Sequence, residues 1–345
     1  MSKKRGQSGL IPVGDLISSK LLKTIKGPSA IEQRLIDGAD INPDDPKSIL
    51  FQHTVLCQTC LPFRYPGDAA RTWERLNGNI HLKVLAGEAM HPIQSRFVPV
   101  GLPFGPKARM ILMHINQEAM QQKTPEIQIE ETLSKFVRRT LNLDSKGRNM
   151  RMVKEQLARL SAASIRLGLV KDGRAVTVNS QIVTAFDIWF PKDERQRVLW
   201  PSTIRLSLDY WESLKAHAVP LDEAHIARLS HSALALDIYS WLANRLHRVP
   251  TNKPVTISWP ALHGQFGMNY DPDRLDKFRA VFKVALRQVM TLYKTARIDL
   301  HEDRKRPRLY SQGGKPVYRE DPAKGLTLYN SPPPVPGRVL ISGKL

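Results

Sequence analysis

Twice along this chain a run with helical hydrophobic spacing gives way to alternating residues, and that repeated order limits the fold more than any single motif. In the first occurrence Ala108, Ile111, Leu112, Ile115 and Ala119 share one stripe of a helix over Lys107–Gln122, with Pro106 suited to its first turn. A short extended piece, Ile127–Ile129, precedes a helix over Glu130–Leu141. A turn carrying Asp144, Ser145 and Gly147 leads into a third helix from Arg148 to Ser164. Two alternating runs, Ser164–Val170 and Ala175–Val183, then flank Lys171-Asp172-Gly173-Arg174, and Asp-Gly in that setting is a strong hairpin signal. In the second occurrence a helix over Ala233–Leu246, a strand Pro254–Ser258 and a small helix Trp259–Phe266 come first. A long basic helix, Arg274–Leu292, a strand Ala296–Glu302 and the basic turn Arg304-Lys305-Arg306 follow.

Three helices closed by a hairpin is the order of a winged helix, whose third helix enters the major groove with the hairpin beside it. The expected class is α+β, mainly helical, with two tandem winged-helix modules, each a helix-turn-helix plus β-hairpin. The modules are placed at 97–200 and 201–330, joined by a block Trp200–Leu221 with an extended run and a helix near Asp209–His217. Residues 1–48 read as a flexible or weakly ordered segment, because Asp37–Pro46 has the composition of a solvated linker. Residues 49–96 read as a small helix and hairpin element: an apolar helix over Ile49–Leu61, then the turn and strand signals of Asn77–Gly87. Residues 331–345 form a Pro-rich tail, in which Pro332–Pro336 reads as a terminus that does not pack.

The charge balance narrows the partners. Lys and Arg total 52 against 32 Asp and Glu, a net +20 that calls for a polyanion. No run approaches the roughly 18 apolar residues of a membrane span. Pro12, Gly14 and Asp15 break any signal-peptide core, and two cysteines are too few to staple a chain this long. The chain therefore reads as cytoplasmic, with no membrane partner. On the first third helix Met150, Val153, Leu157 and Leu160 form the inward stripe, while Arg148, Arg151, Glu155 and Arg159 lie opposite with Lys154 near the edge. On the second, Leu275, Phe278, Phe282, Ala285, Leu286 and Val289 face inward, Lys277, Lys283 and Arg287 outward, and Arg279 flanks them. With Asn149 at the first helix start and the turn residues Lys171, Arg174, Arg304, Lys305 and Arg306, these cations are the candidate DNA-binding set. Lys and Arg neutralise phosphates and release counterions, whereas Arg and Asn at a helix start can also reach base edges.

Signals for chemistry are weak. His53, Cys57 and Cys60 fall at i, i+4 and i+7, but zinc sites normally add a second ligand pair at a defined spacing, so buried packing is the better reading. GxxxxGK[ST], GxSxG, HExxH and His-x-His are all missing from the sequence, and His225, His231, His247 and His263 are scattered. No catalytic residues, metal or cofactor are expected, and the chain is not read as an enzyme.

Several blocks together resemble the RepA-type plasmid replication initiators of proteobacteria: Val98–Leu112, Asn179–Phe190, Leu229–His247 and Ser258–Gly267, with Val55–Arg64 and Arg71–Gly87 before them. The similarity runs over about residues 50 to 335. It implies binding to repeated double-stranded sites at a plasmid origin, opening of an adjacent A·T-rich segment, and loading of the host replicative helicase or its loader, without nicking or nucleotide hydrolysis. The broader class adds a possible homodimer and repression of its own gene. A winged-helix transcriptional autorepressor would bind DNA equally well without opening it. A nuclease would cleave plasmid with a divalent metal, and a structured-RNA binder would want an aromatic platform that this sequence does not show.

Overall fold

The computed structural model of the chain describes residues 31, 49–91, 95–128, 137–138, 141, 147–171, 174–185, 203–268, 270–301, 309–310, 316–317 and 325–335. Most of the segment 1–48, nearly all of the helix expected over Glu130–Leu141, the Asp172-Gly173 turn residues, Arg304–Arg306 and the end of the tail lie outside them. The start of the tail corrects the expectation that it does not pack: Ser331 and Val335 are buried, and the Tyr293 hydroxyl donates to the Pro332 carbonyl at 2.7 Å.

Strand β1 (Ile49–His53) opens the described chain and a short helix α1 (Thr54–Gln58) follows. This corrects the expectation of one helix over Ile49–Leu61. A short apolar run has no period that separates strand from buried helix, and here Ile49 to His53 pair antiparallel with Asp222 to Ala218. Strands β2 (Thr72–Asn77) and β3 (Ile80–Leu85) form the hairpin that the Asn-Gly signal predicts, with Gly78 at φ +57° in its turn. Strands β4 (Glu88–His91) and β5 (Arg96–Pro99) pair with each other. Helix α2 (Gly105–Gln122) has Pro106 in its first turn and ends at Lys123 in the left-handed region, φ 55°. Then come β6 (Glu126–Gln128), α3 (Gly147–Ala162), β7 (Ser164–Lys171) and β8 (Arg174–Gln181). Strands β9 (Val183–Ala185) and β10 (Thr203–Leu206), helix α4 (Leu208–His217), strand β11 (Ala218–Asp222) and helix α5 (Glu223–Leu229) connect to the second half. That half contains α6 (Ala233–Arg245), β12 (Val255–Ser258), α7 (Trp259–Phe266), α8 (Leu275–Leu292), β13 (Ile298–Leu300), β14 (Leu309–Tyr310), β15 (Pro316–Val317) and β16 (Gly325–Leu328).

The molecule is α+β, with several small antiparallel sheets set among helices. In the second half β16 lies between β12 and β13, with Ile257 opposite Leu326 and Ile298 opposite Leu328. In the first half β6 pairs with β10 and β10 with β9. The hairpin β7–β8 does not stand alone. Strand β3 pairs along the whole of β7's first six residues, Leu85 opposite Ser164 through Ile80 opposite Leu169, and closes a four-stranded sheet β2-β3-β7-β8. Strand pairing therefore crosses position 96, between the two segments read from the sequence.

Helices α2 and α6 are buried almost all round, which places them at the centre of the core. Each carries one charge inside. Arg109 meets Asp237 in a two-point ion pair, Nε to Oδ1 at 2.6 Å and Nη2 to Oδ2 at 2.7 Å. The remaining guanidinium donors reach the Leu61, Pro62 and Gly105 carbonyls at 2.7, 3.2 and 2.8 Å. Helices α7 and α8 bury an aromatic group in which Trp259 and Phe282 meet edge to face at 5.8 Å and Phe278 lies 5.5 Å from Phe282.

Two core histidines make the fold acid-sensitive. His53 Nε2 lies 2.9 Å from the Ser213 hydroxyl, its Nδ1 accepts the Val55 N–H at 3.2 Å, and its ring stacks on Tyr210. Burial, reinforced by nearby His217, pushes its pKa down to about 3; burial also takes His114 to about 3 against a hydrogen bond to Gln117 that pulls upward. Above pH 6.5 the folded and unfolded chains hold the same protons at these sites. Below it the unfolded chain takes up protons that the native one refuses, so stability is lost as the pH falls from 6.5 toward 3. The expected loss is about 1 kcal/mol per histidine between pH 6.5 and 5.5. Urea unfolding across that interval checks it: the loss should shrink by about 1 kcal/mol in His114→Leu. Midpoints that do not move with pH would contradict the assignment.

Candidate nucleic-acid interface

Helix α3 forms because its stripe of Val153, Leu157 and Leu160 is buried, with Met150 packed half-buried against it. Its first half leaves Arg148 and Arg151 exposed, with Asn149 and Lys154 half-buried and Glu155 exposed on the same side. Arg159 is different, and its outward assignment is corrected. It is buried, donating to the Leu102 carbonyl at 3.1 Å and to Glu155 at 3.0 Å, with its guanidinium about 5 Å over the Phe104 ring. Helix phase alone pointed Arg159 outward, but the extended chain before α2 crosses that turn. Gly101 leaves room for it: a Cβ at that position would push the end of the Arg159 side chain aside.

Helix α8 divides into an open half and a covered half. From Ala285 to Met290 every residue is buried, since this end packs against α6 and α5. Arg287 belongs to that stretch, so its outward assignment is corrected too: the face it shares with Lys283 is closed one turn later by neighbouring helices. Arg279 is half-buried, its guanidinium 5.2 Å over the Trp259 ring. Lys277 is exposed and Lys283 half-buried. Beside them the open half shows Ala280, Val281 and Val284, with the two valines 41% and 46% exposed. Reading by charge missed these aliphatic positions, although the phase of Ala280 and Val284 opposite Phe282, with Val281 on the flank, was available in the sequence.

The other candidates sit elsewhere. Lys171 and Arg174 are backbone partners in the β7–β8 register, and Arg304, Lys305 and Arg306 lie outside the described residues. Cys57 and Cys60 are buried, with burial pushing both thiols up, and the Cys60 thiol donates to the Gln265 carbonyl at 3.7 Å. The shared helix face expected for His53, Cys57 and Cys60 does not exist: His53 caps α1 from the end of β1, and Cys60 lies beyond the helix. Among the described residues no group of three or more His, Cys, Asp or Glu could hold a metal ion. Nor is any described helix long and apolar enough to cross a membrane.

Residues 102–261, from the start of α2 into α7, match the family described as plasmid-encoded RepA protein. The match covers the middle of the chain. The matched region includes α3 with its exposed arginines and ends before α8. Two solved structures cover 66% of the chain: domains 2–3 of RctB, at 9% identity, TM-score 0.41 and 80% of that structure, and a selenomethionine form of the same two domains, at 8% identity, TM-score 0.42 and 82%. No curated protein matches the chain.

Proposed function

We propose that this chain is a plasmid replication initiator that binds repeated double-stranded sites at its origin, promotes local opening and recruits the host replicative helicase or its loader. The RepA-type match over 102–261 carries this reading. The geometry supports the duplex-binding part. In the second half, α6, β12, α7, α8, β13 and β16 follow the helix–strand–helix–helix–strand–strand order of a winged helix, with the late strand in the middle of the sheet. The first module is proposed on the same plan from α2, β6, α3 and β7–β8, with β2–β3 extending its hairpin into a sheet. In both, the helix before the closing strands presents cations from its open half: Arg148 and Arg151 in one, Lys277 and Lys283 in the other. The chain acts by binding rather than by catalysis, and a second copy is a natural partner at repeated sites.

Protection footprinting on DNA flanking the protein's own gene, at physiological salt with excess non-specific competitor, tests this. Evenly spaced protected repeats beside an A·T-rich segment are the expected result. A single protected site over the promoter would favour the repressor instead, and no selective protection would overturn both.

A further inference from the structure

The exposed strip on α8 is the wrong chemistry for an idle surface. Ala280, Val281 and Val284 lie side by side in the open half of a helix, in a chain with a net charge of +20. Branched side chains lose rotamer freedom in helices, so an exposed mid-helix position gains nothing from valine. The strip is also narrow. Asp273, Arg274 and Asp276 bound it at the N-terminal end, where Arg274 and Asp276 pair at 3.2 Å, and the covered stretch from Ala285 bounds it at the other. A stable protein partner needs roughly 800 Å² on each side, far more than three small side chains provide. Lys277 on the strip and Lys283 at its edge add positive charge beside it.

A helix of this width fits the major groove, and there the one strongly apolar feature of a base edge is the 5-methyl group of thymine. We propose that Val281 and Val284, with Ala280 beside them, read thymine methyls, while Lys277 and Lys283 hold the flanking phosphates. On α3 the open half carries Arg148 and Arg151 instead, so the two helices divide the recognition: one by cationic contacts, the other by apolar contacts to thymine. This rests on the duplex-binding reading above.

The natural binding site need not be identified for the test. Duplexes enriched from a random-sequence library by the full chain are resynthesised with deoxyuridine in place of thymine, which removes only the methyl. Each contacted methyl is expected to contribute about 4-fold in affinity, so two give about 15-fold in favour of thymine. In Val281→Ser/Val284→Ser, which removes both methyls of each side chain and leaves a hydroxyl, the preference should collapse to within about 2-fold. Val281→Ala alone, retaining part of the preference, serves if the double variant is unstable. Equal binding of both duplexes by the native chain overturns the proposal, as does a preference that survives the substitutions. So does a double variant that loses self-association in sedimentation while holding DNA normally. If no duplex is enriched at all, the duplex-binding reading itself fails, and the thymine proposal with it.

Discussion

Duplex affinity of the full chain is expected to fall by about 10³–10⁵ between 50 and 200 mM salt, the loss that about six to ten phosphate contacts produce. Each phosphate neutralised releases condensed counterions, and the logarithm of the binding constant falls with the logarithm of salt at about −0.9 per contact. The exposed Arg148, Arg151 and Lys277 are the first contributors, with the half-buried Lys154 and Lys283 beside them. Arg159 and Arg287 are set apart by burial, and that makes the prediction specific. In fluorescence-anisotropy titrations over a salt series, Arg148→Ala/Arg151→Ala should make the slope shallower by about 1.8. Arg159→Met should leave the slope where it was and lower the urea midpoint, because it removes a buried hydrogen bond to Leu102 and the stacking on Phe104. A flat salt profile would remove the basis for phosphate recognition. A slope that responds to Arg159 as strongly as to Arg148 and Arg151 would mean the buried position does not persist on DNA.

The contrast between Arg148 and Arg159 also marks how far sequence could be read. Periodicity identified α2, α3, α6 and α8 nearly to their ends, because each buries a continuous stripe and that stripe is written at fixed spacing. Asn77-Gly78 and Asp172-Gly173 located two hairpins, since their turn geometry favours Gly at positive φ whatever surrounds them. Contacts between distant segments carry no such local mark. Ile49 finds Asp222, and Ile80 finds Leu169, through pairings that no window of sequence contains. The same limit governs the candidate interface. Helix phase says which side faces the helix's own core, but not whether another segment covers the opposite side. Phe104 does so at Arg159, and α5 and α6 do so at the end of α8. Residue type could nominate the cations; only tertiary packing could sort exposed from enclosed ones.

Arg109→Met is expected to destabilise the chain by about 3–5 kcal/mol, far more than loss of a surface ion pair. Asp237 would remain at 6% exposure with its countercharge gone, and burial already pushes its carboxyl up against the pull of Arg109. The Leu61, Pro62 and Gly105 carbonyls would lose their donors in the same step. Arg109→Met/Asp237→Leu removes the orphaned charge, so it should recover a good part of the loss, though not the part that belongs to the carbonyls. Urea unfolding of the four forms gives the coupling directly. Additive single effects would mean that the two groups do not act as a pair, and a single-variant loss under about 1 kcal/mol would mean that the site takes up water. The pair has a second consequence because of where it sits. Arg109 lies on α2, in the half that carries α3, and Asp237 on α6, in the half that carries α8. If both helices engage one duplex, the second contact gains from being held close to the first, and a loosened joint lowers that effective concentration. The double variant, folded but without the ion pair, should then bind a long selected duplex more weakly than the native chain. On a half-length duplex that only one helix can occupy, the two should bind alike.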